Sequence, residues 1–368
     1  MKKILVFGHY GRDNVGNEMG LRAFMEYLNQ SDPHTVITVL SHSKRKTENN
    51  HHINAIGRNQ YKAIYHALKS ADVVIRLGGS LFQEEDQGKS SRFDMFIFFL
   101  AQKFKKKTIL YGNGFGSLLN SFDRRIAQDV LNQMDLLTVR DQNSKERMQK
   151  IGVNKEITIT SDVAFVIDCP IFEEYFLSED HNGIKDKHSN NGKRIGIVPQ
   201  AWGESTDYIE TLARASDHLI GEGYEVVFIP MEIEKDQKII QEIITRMDRV
   251  PKFIDSEYRW MKILREINGL DLLIGMRLHA LIFATICGVP NMGIKGNDKV
   301  ASFMKSIDGS LLDGKKLDVI HLLTTIEGLF QHKSEQLDKM EKKRLSLQKK
   351  AVKNFNLFKD ILDNFQEY

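Results

Sequence analysis

Short apolar runs alternate with segments of helical period through most of the chain. In the first half the runs are KILVFG, TVITVL, DVVIRLGG, TILYGNG, LLTVRD and EITITSD. Near-continuous apolar runs of this length read as strands buried on both faces, with helices between them carrying the chain back. Between Asp168 and Arg194 the alternation stops. The stretch EDHNGIKDKHSNNGK is polar, rich in Gly and Asn, and without period, so it reads as a linker. The alternation then resumes with RIGIVPQ, YEVVFIP, KFID, DLLIG and VPNMGI. The pattern predicts α/β domains over residues 1–170 and 194–330, joined by a linker at 171–193.

Two segments depart from this rhythm. MFIFFLAQKF, from Met95 to Phe104, is the most apolar window and predicts a buried helix, too short to span a bilayer. Over 331–368 no strand signal remains, and helices packing back on the body are expected there. Leu345, Val352, Phe355, Phe358, Leu362 and Phe365 recur at three- and four-residue steps and mark one apolar face. Lys342, Lys343, Arg344, Lys349, Lys350 and Lys353 load the other side. Two compatible readings stand: the apolar face packs on the body, or the basic helix contacts an anionic membrane surface.

Composition narrows the class. At 368 residues the chain is long for one core and natural for two domains. Its 41% hydrophobic and 27% charged content is ordinary for a globular protein, and a net charge of +3 calls for no nucleic-acid partner. Cys169 and Cys287 lie far apart with no CxxC spacing, which disfavours a disulfide framework or a zinc site and suits a reducing compartment. The apolar run Ile4–Phe7 is too short for a signal peptide, and no stretch reaches the roughly 18 apolar residues of a membrane span. A cytoplasmic protein is expected, at the inner face of the membrane if the basic helix docks there.

Candidate chemistry gathers where strands end, which is where open α/β sheets bind ligands. The first run leads into GHYGRDNVGNEMG, whose Gly8, Gly11 and Gly16 allow close backbone approach, with Asn17 expected as a helix cap. It is neither GxGxxG nor a Walker loop. The third run ends in RLGGSLFQEE, where Gly78, Gly79 and Ser80 offer backbone N–H groups and a hydroxyl. The fourth ends in YGNGFGSL. One such turn means little; three on one sheet edge point to a cleft lined by backbone. The fifth ends in TVRDQNSKERM, where Arg140 is either an anion clamp or a partner for an acidic neighbour, and Asp141 can cap the next helix.

The sharpest signal is DLLIGMRLHALIFATICGVPNMGIKGNDKV, from Asp271 to Val300. Arg277 and His279 stand between an apolar strand and an apolar helix. A helix N-terminus favours negative charge, Arg277 adds a fork of donors, and His279 can exchange a proton near neutral pH. Lys295 and Lys299 follow the next run, and Lys299 opens another helix. Together they describe an anion site with a proton-transfer group. The competing reading gives His279 a backbone carbonyl and Arg277 a core carboxylate.

In order, GHYGRDNVGNE, RLGGSLFQEE, YGNGFGSL, VRDQNS, TSD (Thr160–Asp162) and GMRLHALIFA…GVP…DKV resemble the motifs of the polysaccharide pyruvyl transferases, across nearly the whole chain. The last block is specific; the glycine turns alone are not. The resemblance implies two Rossmann-like doubly wound domains facing a cleft, in the GT-B-like plan, with a C-terminal helical segment. It implies transfer of a pyruvyl group from phosphoenolpyruvate onto two hydroxyls of a cell-surface or exopolysaccharide, or its lipid-linked precursor, giving a pyruvate ketal in a bacterial cell. His279 and Arg277 then look catalytic, with Arg140, Lys299 and His279 binding the donor. Gly11, Asn14, Gly16, Asn17, Glu18, Gly78, Gly79, Ser80, Gln83 and Asn113 line the acceptor side. Protein cations can cover the donor's charge, so no metal or other cofactor is expected.

Two departures stand out. Asn17 occupies a position usually held by Asp, which leaves Glu18 or another group to act as acceptor base. Gln200 stands where Arg is common. These differences keep open a non-catalytic glycan-binding protein. A nucleotide-sugar glycosyltransferase on a similar fold is the other alternative, with Glu232 or Glu234 holding a ribose. Phe82, Phe115 and Trp202 are aromatic candidates for sugar contact.

Overall fold

A computed structural model describes residues 1–82, 89–116, 120–168, 193–202, 206–254 and 260–364, the side chains of 260 and 261 excepted. Gln83, Phe365 and the expected linker up to residue 192 lie outside the described residues. The chain forms two compact units: Met1–Val166 with Leu347–Tyr368, and Ile167–Ser346.

The first unit is built on β1 (Lys3–Phe7), β2 (Val36–Ser41), β3 (Asn54–Gly57), β4 (Val73–Leu77), β5 (Ser80–Leu81), β6 (Lys107–Phe115), β7 (Leu136–Val139) and β8 (Thr158–Ile159). The order is β3-β2-β1-β4-β6-β7-β8, with β5 beside β6, and every pairing is parallel. The chain winds outward from β1 to β3 and restarts on the other side at β4. The crevice outside β1 and β4 is therefore the topological switch point. Phe7 pairs with Arg76 at this edge.

One face of this sheet buries Leu5, Phe7, Val74, Leu81, Phe98, Leu110 and Leu137. The other buries Ile4, Val6, Phe24, Ile75 and Tyr111, together with Phe355, Phe358 and Leu362 of the long helix Lys333–Asp363. Tyr27 and Phe355 meet edge-on with centroids 4.4 Å apart. From Leu347 onward that helix belongs to the first unit, and Lys349, Lys350 and Lys353 are exposed on it. The expected apolar stripe is interrupted at Leu345, which is exposed.

The second unit carries β9 (Arg194–Val198), β10 (Glu225–Phe228), β11 (Lys252–Phe253), β12 (Leu272–Gly275), β13 (Asn291–Lys295) and β14 (Ser310–Asp313). Its order is β11-β10-β9-β12-β13-β14, again all parallel, with its own switch point at β9 and β12. The two sheets thus share one winding rule, and the chain is an α/β fold of two parallel-sheet domains with a C-terminal helix.

Three readings need correction. The helix Lys89–Lys103 is not buried all round: Met95, Ile97, Phe98 and Ala101 face the core, but Phe96 and Phe99 are exposed. β3 and β14 were not foreseen, because four-residue strands carry too few positions to show a period. The cap of the first helix, Val15–Ser31, is Asn14, not Asn17. Asn14 has extended backbone and its side chain accepts the Asn17 N–H at 3.2 Å, so the helix starts three residues earlier than expected. Among the described residues, no helix is long and apolar enough to cross a membrane.

Candidate active site

In the first unit, the strand ends are held by charged groups buried beneath them. Arg76, on β4, is completely buried. Its Nε donates to Asp94 at 3.0 Å, one Nη donates to the Gly78 carbonyl, and the other to the Ser80 carbonyl at 3.2 Å. Arg58 donates to the second oxygen of Asp94 and to the Gly8 carbonyl, at 3.0 and 2.9 Å. Two guanidiniums therefore share one carboxylate and fix the first and third turns together. Gly78 and Gly79 take φ of +58° and +66°, where a side chain would strain the backbone. Arg76, Arg58 and Asp94 went unnoticed as a group. The available signal was an Arg inside the apolar strand VVIRL, which burial cost forbids unless a carboxylate is near.

The predicted acceptor-side residues occupy this edge. Gly11 has φ +74°, and an added Cβ would lie 2.4 Å from Ser41 Oγ. Gly16 is buried in the first helical turn, and Asn17 is partly buried with its Oδ1 against Gly79. Asn113 is fully buried and donates to the Gly78 carbonyl. Glu18 is a different matter. It is fully buried, one oxygen accepts the Gly11 N–H at 2.8 Å, and the other lies 2.7 Å from His51 Nε2. Both oxygens are committed to holding the loop, a poor position for an acceptor base. Phe82 and Phe115 pack on each other with centroids 5.5 Å apart and are buried, so they offer no face to a sugar.

Arg140, beyond β7, is nearly buried. Its guanidinium donates to Ser80 Oγ at 3.0 Å, to Asp162 at 3.3 Å and to Asp141 at 3.4 Å. Asp141 also caps the helix Gln142–Lys150, as expected, accepting from Ser144 at 2.7 Å. The structure thus brings Ser80, Arg140 and the TSD segment together around β5, β6 and β7.

In the second unit, Arg277 stands two residues beyond β12 and occupies the cap position of the helix Leu278–Ile286. Its Nη1 donates to Glu232 at 3.0 Å and its Nη2 to Asp236. Asp236 is fully buried and also accepts the N–H groups of Met231 and Glu232. Burial pushes the Asp236 carboxyl up, against the pull of Arg277. Burial acts upward on Glu232 too, but Lys235 and Arg277 outweigh it and hold Glu232 below its ordinary range.

His279 lies in the first turn of the Leu278–Ile286 helix, partly buried, with its ring centroid 6.1 Å from Phe283. Lys299 lies in the first turn of Asp298–Ser306, whose cap Asn297 accepts the Lys299 and Val300 N–H groups. His279 and Lys299 therefore follow adjacent strands β12 and β13, each in the first turn of the helix that succeeds its strand. Trp202 covers the neighbouring edge: a Cβ on Gly296 or Gly314 would come within 3.3 or 3.0 Å of its indole. Gln200 lies on the same edge after β9, and its carbonyl accepts the Tyr208 hydroxyl at 3.1 Å. Among the described residues, no group of His, Cys, Asp and Glu is arranged to hold a metal ion.

Residues 14–298 match the family model for polysaccharide pyruvyl transferase. The chain belongs to that family. The match takes in Asn14–Glu18, the Gly-rich turns at Gly78 and Gly112, the Arg140 strand end and the junction at Arg277 and His279. The amylovoran biosynthesis protein AmsJ of Erwinia amylovora is 24% identical over 273 residues, taking in 65% of this chain and 60% of the relative. The chain thus spans less than two thirds of that relative's length.

Solved structures similar in fold include Anabaena HepE in complex with UDP-glucose, with a TM-score of 0.63, 12% identity, and coverage of 99% of this chain and 100% of that one. S. aureus MnaA with UDP gives 0.67 at 12% identity, covering 100% and 98%. The UDP-GlcNAc 2-epimerase of Neisseria meningitidis gives 0.65 at 12%, covering 99% and 100%. At such identity these relationships show a GT-B-like fold and nothing of the substrate. The family membership rests on the sequence.

Proposed function

We propose that this pyruvyl transferase moves the pyruvyl group of phosphoenolpyruvate onto two hydroxyls of a saccharide acceptor, forming a pyruvate ketal and releasing phosphate. The acceptor is a cell-surface or exopolysaccharide or its precursor, and the similarity to AmsJ, named for amylovoran biosynthesis, supports a role in polysaccharide assembly. The observation that carries the reading is the placement of His279 and Lys299 in the first turns of helices after two adjacent strands, with His279 inside the family-model match and Lys299 directly after its last residue.

The chemistry follows from that placement. The donor carries a phosphate and a carboxylate, and cations beside helix N-termini suit both. The methylene carbon must gain a proton, and His279 is the group that can deliver it. That leaves an oxocarbenium-like centre, to which the first hydroxyl adds with loss of its proton. Phosphate then leaves with the C–O bonding pair, and the second hydroxyl adds. Of the two hydroxyl protons lost, one replaces the proton given by the acid and one departs with phosphate. Lys299 is assigned to the donor's anionic groups. Arg140 keeps the donor-binding role implied by its motif, while its bonds to Ser80 and Asp162 also give it a structural one. Arg277, held by Glu232 and Asp236, acts on the site by fixing the start of the His279 helix.

The glycosyltransferase alternative asked Glu232 or Glu234 to hold a ribose. Glu232 is already engaged by Arg277 and, at 2.7 Å, by Lys235, which disfavours it for that role. The deciding experiment incubates the protein with a panel of saccharides and phosphoenolpyruvate isotopically labelled in its pyruvyl carbons. Labelled ketal with matching phosphate release supports the proposal. Sugar transfer from a nucleotide sugar, without phosphoenolpyruvate consumption, replaces it.

A further inference from the structure

At the switch point of the first unit, Arg58 also belongs to a cluster whose two histidines are used by none of the roles above. His9 follows β1, His42 follows β2 and Arg58 follows β3, so three neighbouring strands deliver them to one edge. The two imidazoles stack with centroids 6.3 Å apart and planes 5° from parallel. The backbone fixes this arrangement. The His42 N–H donates to the Tyr10 carbonyl at 3.0 Å, the Arg58 N–H to the Ser41 carbonyl at 3.0 Å, and the Arg58 guanidinium to the Gly8 carbonyl at 2.9 Å. Arg12, exposed on the loop between the first strand and helix, completes the group. His42 Nε2 is buried and has no hydrogen-bond partner among the described residues.

We infer that His9, Arg12, His42 and Arg58 form a subsite for a phosphate group carried by the saccharide acceptor. Of the nearby carboxylates, Glu18 is held by Gly11 and His51 and Asp13 by Lys46, while Asp94 is shared between Arg58 and Arg76. Arg58 and Arg76 share the single Asp94 carboxylate, and Arg12 adds another positive charge, so the guanidiniums outnumber the carboxylate set against them. Burial first, then Arg58 and Arg12, hold His42 down to about 3. His9 is also held well below its ordinary value, by burial and then by Arg76, Arg58, His42 and Arg12. Beyond burial, the guanidiniums of Arg58 and Arg12 hold both rings down, and that of Arg76 also acts on His9. A phosphate would relieve that repulsion and receive N–H donors from both rings as they take up protons. Such weakly basic rings make poor acceptor bases, so anion binding suits them better than proton abstraction.

This assignment deepens the proposed function, since it names the acceptor as a phosphate-bearing saccharide, such as a lipid- or nucleotide-linked precursor. The test follows the ring-proton resonances of His9 and His42 in the whole chain during titration at constant ionic strength. Inorganic phosphate and glucose 1-phosphate are the probes, with chloride as the control. Saturable shifts with both phosphates, and about tenfold tighter binding of the sugar phosphate, are expected. The pH at which the rings protonate should rise on saturation. Arg12→Gln and His42→Gln should each weaken binding about tenfold while thermal unfolding stays cooperative. Shifts no larger than those with chloride overturn the subsite. Equal affinity for the two probes overturns its assignment to the acceptor, leaving a site for free phosphate. Phosphate release from phosphoenolpyruvate is measured in parallel. A chain that binds the sugar phosphate but never consumes phosphoenolpyruvate loses the proposed reaction and keeps the subsite.

Discussion

Arg277 Nη1 lies 3.0 Å from Glu232, tying the end of β12 to the start of the helix Ile233–Ile244 that follows β10. Asp236, one turn further along, holds the other Nη and is fully buried. The charge that looked most like a ligand clamp in the sequence is engaged by two carboxylates of its own unit. In the proposed reaction its influence on the donor would run through the helix that carries His279.

Arg277→Ala should therefore destabilise the protein strongly. Removing one partner of a buried pair costs about 3–5 kcal/mol, because the remaining charge stays buried. The double variant Arg277→Ala/Asp236→Asn should recover part of that loss, which chemical denaturation can measure. A single variant as stable as wild type would mean that the pair has no structural role.

His279→Gln should act on chemistry. The side chain stays polar and similar in size, so folding and donor affinity should change little. Turnover should fall by about 10²–10⁴, the usual worth of a general acid. Equal losses in kcat and in phosphoenolpyruvate affinity would instead describe a binding group.

Arg140 and Lys299 should separate. Lys299→Ala should weaken phosphoenolpyruvate binding and leave the melting temperature nearly unchanged. Arg140→Ala should weaken binding and also lower the melting temperature, because Asp162 loses a buried partner. A stability loss confined to Arg140→Ala, with donor affinity intact, would make Arg140 purely structural.

The low proton affinity of His42 predicts a pH dependence of stability. The ring holds its proton only near pH 3 in the folded chain and near 6.5 when unfolded. The unfolded chain thus binds more protons in that window, so the contribution is fully present above about 6.5 and is lost as pH falls toward 3. His42→Gln should flatten the stability profile across this range, as followed by urea unfolding at successive pH values. An unchanged slope would show that His42 titrates normally.

Much of the fold was legible because both sheets are parallel and buried, so their strands read as apolar runs with glycine at the ends. The short edge strands β3 and β14 carried no comparable signal. At the candidate site, sequence order located the strand ends and the residues standing on them. It could not say which charges face one another across strands. Arg140, His279 and Lys299 were legible through motif and position. The link between Arg58, Arg76 and Asp94 was not, since these residues come from three elements brought together only by the sheet. Glu18 shows the same limit: the resemblance left it as a candidate base beside Asn17, while its burial against His51 and Gly11 shows a brace. The C-terminal helix displayed its apolar face plainly, but not that Phe355 and Phe358 would meet Phe24 of the first helix.

The central claim is that the donor binds at the junction carrying His279 and Lys299. Its most direct test is calorimetric titration of phosphoenolpyruvate, without acceptor, into wild type and His279→Ala/Lys299→Ala. The account predicts saturable binding by wild type that is lost in a double variant whose thermal unfolding remains cooperative. Binding of equal strength in both proteins, or binding of a nucleotide sugar with no affinity for phosphoenolpyruvate, would contradict it.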